Sequence, residues 1–216
     1  MYLGEMALLL TATVVMTGLA KGITARLRLN DFTASFLIFT IVLLNLRGGV
    51  KLSGAYSLAL GGVLSVLASI YIVIGRSERP ADLLFAVISM IGNAGIVLVY
   101  SMHFLGSGIL SSKALSALLS ILTGLWCAFA ARRTFASCLF AAVTGGFLGT
   151  TIYYIFLRKS GYIGGSYAFS TMWLSAIFGL TIQYLFSIMM RATHSPRADS
   201  YFEAGEMMEE EKKEKE

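Results

Sequence analysis

The sequence predicts an all-α fold, a polytopic transmembrane bundle of about seven helices with its N-terminus outside and its C-terminus in the cytoplasm. Three observations predict it. Apolar residues make up 56% of the 216-residue chain and charged residues only 13%, with a mean hydropathy of +0.75, far more apolar material than one soluble core requires. Apolar segments of near-bilayer length recur along the chain. Carboxylates are almost absent from the body, where only Asp31, Glu78 and Asp82 occur between Met6 and Met190, whereas Lys and Arg fall in short runs beside the apolar segments. Cations placed that way report topology and anionic headgroups, and they imply no nucleic-acid partner.

With a window of about twenty residues, the segments run Tyr2 to Ala20, Phe32 to Leu46, Leu52 to Ile74, Leu83 to Leu105, Ala114 to Ala131, Phe135 to Leu157 and Ser166 to Met190. In the first, Glu5 precedes the apolar stretch and Lys21, Arg26 and Arg28 follow it. A secretory signal has the opposite polarity, so this segment reads as a retained helix with an exported N-terminus. The second is short: at about 1.5 Å per residue it reaches about 22 Å of a core of about 30 Å, so it extends into its flanks, thins the bilayer or re-enters. The cations choose between these options. Seven spans put Lys21, Arg26, Arg28, Arg76, Arg79, Arg132, Arg133, Arg191 and Arg197 on one side against Arg47, Lys51, Lys113, Arg158 and Lys159 on the other, nine against five. A re-entrant second segment makes the count eight against six, and the positive-inside rule favours the larger asymmetry.

The third, fifth and sixth segments each carry small residues four apart: Ser57, Gly61, Ser65 and Ser69; Ser112, Ser116, Ser120, Gly124 and Ala128; and Ser137, Ala141, Gly145 and Gly149. Lipid is as apolar as leucine, so membrane helices associate where small residues let backbones approach closely. These stripes predict packing seams, and a glycine-rich helix can also bend around a substrate path. Cys127 and Cys138 read as small buried apolar side chains with no metal or redox role. Residues 1–190 are thus expected to form the bundle. Residues 191–216 form a charged cytoplasmic tail in which Glu209 and Glu211 precede Lys213 and Lys215 by four, a spacing that supports an exposed helix within a largely flexible segment.

Asn93, in I-G-N-A-G at the middle of the fourth segment, is the polar residue most costly against lipid; Gln183 and Asn45 follow. No Asp, Glu, Lys or Arg falls near the centre of a predicted span, so no proton relay or aspartate pair is expected. The chain carries no P-loop, G-x-S-x-G, H-E-x-x-H or G-x-G-x-x-G motif. Catalytic residues, metal ligands and cofactors are therefore expected to be none.

The run A-A-V-T-G-G-F-L-G-T-T-I-Y-Y through G-Y-I-G-G-S-Y-A-F-S resembles the C-terminal part of an uncharacterised multi-pass membrane family of archaea and bacteria, including spore-formers. That family carries a G-T-L-G-T-L-I-G-A-D-L helix and a G-G-A-G-T-F-D-G-I-F segment. Gly146, Leu148, Gly149 and Thr150 match the first, and Gly164, Gly165 and Phe169 the second. Gly61, Gly62, Leu67, Ser69 and Tyr71 match an earlier stretch, V-N-V-G-G-A-L-I-P-L-L-L-S-L-Y. Ile155 and Ser170 stand where the family motifs have their aspartates. The resemblance implies a diverged member that kept the scaffold and lost the carboxylates.

The functional expectation is transport or permeation of a small solute through the bundle, in a prokaryotic plasma membrane, without enzymatic activity. A candidate polar site comprises Asn93, Gly146, Gly149, Thr150, Gly164, Gly165, Ser166 and Ser170. Helix packing is assigned to Ser57, Gly61, Ser65, Gly124, Gly145 and Gly149. The alternatives are a membrane scaffold or assembly factor, related to sporulation or the envelope, and a degenerate intramembrane hydrolase. Expected partners are the lipid bilayer and either a second copy or another membrane protein.

Overall fold

The computed structural model describes residues 3–27, 29–76, 80–105, 111–131 and 134–213. Arg28, Glu78, Arg79, Arg132 and Arg133 of the charge count lie outside the described residues. The fold is all-α with one small sheet. The chain divides into two compact units, Met1–Gln183 and Tyr184–Glu216.

Every apolar segment contains a helix: α1 (Leu3–Met16), α3 (Asp31–Leu46), α4 (Leu60–Arg76), α5 (Pro80–Tyr100), α6 (Ser112–Ala130), α7 (Phe135–Ile152) and α8 (Ser166–Lys213), with a short α2 (Lys21–Arg26) after the first. Short polar side chains start three of them. Asn30 accepts from Phe32 N–H at α3, Ser111 from Ala114 N–H at α6 and Thr134 from Ser137 N–H at α7, each satisfying an amide that the first helical turn leaves unpaired. Two helices run on into a π-helical turn, α5 through Ser101–Leu105 and α7 through Tyr153–Arg158.

Among the described residues, four helices are long and apolar enough to cross a membrane: Pro80–Leu105, Lys113–Ala130, Phe135–Arg158 and Ser166–Met190. The other three apolar helices, Leu3–Met16, Asp31–Leu46 and Leu60–Gly75, are shorter. The third was expected to begin at Leu52, but Gly49–Ser53 (β1) and Tyr56–Ala59 (β2) form an antiparallel hairpin. Its turn uses Gly54 and Ala55, and the backbone entering it passes through Gly48 at φ 93°, a conformation glycine adopts without strain. β2 also pairs in parallel with β3 (Gly161–Ile163), Ser57 opposite Tyr162. Ser57 is therefore not a helix-packing residue. It sits in the central strand, because Lys51, Ser53 and Ser57 break the run into the two-residue alternation of a strand.

Within the first unit, α7 is the central element. Its residues Ala136 to Val143 are all buried, and it packs chiefly on α5 and α4. α1 packs on α3, and α3 on α4. The second unit comprises the rest of α8, so helix bounds take in most of the segment assigned to a tail.

Candidate functional site

The α7 stripe faces α5 at backbone contact. A Cβ built on Gly145 would lie 2.7 Å from the Met90 carbonyl oxygen, and one on Gly149 would lie 2.6 Å from that of Ala94. Between them Asn93, wholly buried, donates through Nδ2 to the carbonyls of Ala141 at 2.9 Å and Ala142 at 3.3 Å. The α6 stripe is used in the same way against α8. Ser120 Oγ donates to the Thr171 carbonyl, Thr123 and Ser175 share a hydroxyl hydrogen bond, and Gly124 packs under Phe178. Gln183 Nε2 closes that seam on the carbonyls of Ala128 and Ala131. Both cysteines are buried free thiols.

The expected polar site is spread over several seams. Asn93 and Gly149 lie between α5 and α7, whereas Gly146 packs on Met172 of α8. Thr150 turns back on the carbonyls of Gly146 and Phe147. Gly164, at φ 70°, approaches Gly62 within a built-Cβ distance of 3.1 Å, and Gly165 lies under the Tyr162 ring. Ser166 opens α8 and is half-buried. Ser170 accepts from the Gly4 amide at 3.1 Å, so it serves α1 and not the Asn93 seam. On α4 the stripe divides: Gly61 meets the Ile41 carbonyl and Asn45, Ser65 Oγ accepts from Trp173 Nε1, and Ser69 shares a hydrogen bond with Thr144.

Two features escape that set. One is an apolar cavity of about 230 Å³ bounded by α1, α2, α3, α4, α7 and α8. Leu8, Leu37, Ile38, Ile72 and Leu180 are among the apolar residues of its wall, together with Trp173. Its few hydroxyl side chains are engaged: Thr11 with the Ala7 carbonyl, Thr24 with Asp31, Ser65 with Trp173, Ser69 with Thr144 and Thr181 with the Ile177 carbonyl.

The other is a polar cluster at the end of the bundle where α1, α4 and α8 begin and α3 ends. Glu5 is only 3% exposed, and its Oε1 accepts from Asn45 Nδ2 at 2.8 Å. Asn45 is 6% exposed and its Oδ1 has no hydrogen-bond partner among the described residues; the same holds for the buried Tyr162 hydroxyl. Burial, and then the nearby Glu5 charge, push the Tyr162 phenol up from its ordinary value. Two glycines seat these side chains. A Cβ on Gly61 would strike Asn45 Cβ at 2.7 Å, and one on Gly49 would strike the Tyr162 ring.

Sequence reasoning used Glu5 only as a topological charge. The signal lay in its register: Glu5, Leu8, Ala12 and Val15 recur at helical spacing and form the buried face of α1, and an acid on such a face must find a partner. Leu8, Ile41, Val42 and Phe169 pack into one buried cluster, from which Leu8 also reaches the wall of the apolar cavity. Among the described residues no group of three His, Cys, Asp or Glu side chains could hold a metal ion. Comparison with protein-family models, curated proteins and solved structures finds no match to this chain.

Proposed function

We propose that the protein is a multi-pass protein of the cell membrane that houses an apolar or amphipathic molecule, a lipid-type chain, within its helix bundle. The observation that carries this reading is the cavity, whose wall is almost wholly apolar and whose hydroxyls are already hydrogen-bonded. Such a wall offers dispersion contacts and no polar recognition, which suits an alkyl or isoprenyl chain and disfavours a hydrated solute. Within the transport class, the cargo is therefore apolar. Oligomerisation through the small-residue stripes is less supported, because the α6 and α7 stripes pack against α8 and α5 of the same chain.

The topology proposed with it is seven crossings, N-terminus outside and C-terminus in the cytoplasm, as the nine-to-five division of cations favours. Helices α1, α3 and α4, of 14, 16 and 17 residues, span by local thinning or through their flanks. The test is retention of lipid by the purified protein, read by native mass spectrometry. Wild type should keep a bound lipid under mild activation. Ala68→Phe, which places a ring in the cavity, should lose it while keeping its helical circular dichroism. Equal retention by both proteins would remove the reading. Reporters fused before Met1 and after Glu216 test the topology separately; activity of both on one side would exclude an odd number of crossings.

A further inference from the structure

Given the apolar cavity as a lipid site, on which this depends, we infer that its occupant is an anionic membrane lipid whose chain enters between α1 and α8 and whose headgroup is held at Lys21. α1 and α8 touch at their first turns, where the Gly4 amide donates to Ser170 Oγ and a Cβ built on Gly4 would strike the Ser170 backbone. About two to three turns further on, both helices face the cavity instead, α1 through Thr11 and Val14 and α8 through Ile177 and Thr181. Among the described wall residues only Val14 and Thr181 are exposed, so the mouth of the cavity lies where these two helices face each other. The Thr11 and Thr181 hydroxyls turn back on carbonyls of their own helices, and Leu10, Met16 and Phe178 expose apolar surface beside them. A mouth of that kind admits a chain from the bilayer and offers nothing to a hydrated solute.

The charge at this mouth is set by α2, which follows α1 and closes the cavity there. Ala20, Ile23, Thr24 and Leu27 line the cavity at the spacing of one helical face, and Lys21 and Arg26 flank that face on either side. Arg26 lies 4.7 Å over the Phe135 ring, and Asp31 accepts from Thr24. Lys21, by contrast, is exposed and makes no ion pair with a described residue. Its stem lies against Gly18, in the turn directly after α1, which sets the ammonium at the α1 edge of the mouth. A lysine at the end of an apolar helix reaches the level of the headgroups, so a phosphate there meets a cation while its chain lies in the cavity. A lipid of net negative charge is drawn to one such lysine with about fivefold greater affinity than a neutral one. On the proposed topology this end faces the cytoplasm, whose leaflet carries the anionic lipids.

The test is competition between two lipids on the full chain in detergent, read by native mass spectrometry. Phosphatidylglycerol and phosphatidylcholine with the same chains are offered in equal amounts. Wild type should retain the anionic lipid over the neutral one by about fivefold. Lys21→Gln should bring that ratio close to one. Lys51→Gln removes the same charge from an exposed position on β1, which does not line the cavity, and should keep the wild-type ratio. At the mouth, Thr181→Trp should slow exchange of the bound lipid several-fold, whereas Thr13→Trp, exposed on α1 outside the wall, should not. Equal retention of the two lipids by wild type, with loss of both in Ala68→Phe, would keep the cavity as a lipid site and overturn the headgroup at Lys21. Equal ratios in Lys21→Gln and Lys51→Gln would overturn it too, by assigning the preference to overall charge. Equal exchange rates in Thr181→Trp and Thr13→Trp would overturn entry between α1 and α8. Retention of neither lipid by wild type would remove the cavity reading itself and this inference with it.

Discussion

The α5–α7 seam and the α1–α3–α4 side of the bundle solve the same problem in opposite ways. Along the seam, glycines bring two backbones so close that a methyl group at Gly145 or Gly149 would meet a carbonyl oxygen, and Asn93 bonds the two helices at that spot. On the other side, the helices are short, an acid is buried near one end, and an apolar cavity lies toward the other. Close packing leaves the seam no room for a ligand, even though the buried Asn93 Oδ1 has no hydrogen-bond partner among the described residues, whereas the side with the shorter helices leaves space. The glycine stripe of α7 is thus the closely packed part of the molecule, and none of its glycines lines the apolar cavity.

The sharpest way to break this contrast is to overpack the seam. Gly149→Leu drives a side chain into Ala94 and Val97, where a Cβ alone would lie 2.6 Å from the Ala94 carbonyl. We expect a loss of about 3 kcal/mol or failure to fold. Gly95→Leu is the matched control, on the same pair of helices but with nothing within 4 Å of its built Cβ; it should stay within about 0.5 kcal/mol of wild type. Thermal unfolding in detergent reads both. Equal effects would mean that the seam is not closed.

Next in size is Asn93→Ala. It removes two interhelical hydrogen bonds to α7 and leaves the Ala141 and Ala142 carbonyls, which retain their helical partners. We expect a loss of about 1 to 2 kcal/mol in chemical or thermal unfolding, with lipid retention unchanged because Asn93 does not line the cavity. Loss of the bound lipid in a folded Asn93→Ala protein would join the two regions that the structure separates. Trp173→Phe should cost less, about 1 kcal/mol, for its hydrogen bond to Ser65 on the cavity wall.

These predictions follow the line between what was legible in the sequence and what was not. Helix locations were legible, because each apolar run exceeds what any other element would bury. The α6 and α7 seams were legible because spacing by four places Ser120 with Gly124, and Gly145 with Gly149, on single faces. The hairpin was hidden inside an apolar run: Val50, Leu52 and Leu58 read equally as helix until Ser57 is seen to pair with Lys51 and Tyr162. The assembly of Asn93 with Ser170 was not borne out, since spacing within a helix says nothing about which neighbour a face meets; Asn93 meets α7 and Ser170 meets α1. The Glu5 cluster joins residues 40 apart, Glu5 and Asn45, with Tyr162 more distant still, and such proximity is a property of the tertiary fold alone.

The smallest expected effect comes from filling the cavity, and its size is the point. Ala68→Phe adds a ring beside Ser65 and Trp173, at a position that lines a space of about 230 Å³. Overpacking is costly where side chains have nowhere to go, as at Gly149, but here new dispersion contacts replace void, so the cost and the gain nearly cancel. Measured on delipidated protein, stability should lie within about 1 kcal/mol of wild type, in either direction. When lipid is restored, wild type should gain stability by mass action and the filled variant should not. A loss in Ala68→Phe comparable to that in Gly149→Leu would show that this wall is as tightly packed as the seam, and the contrast between the two regions would disappear.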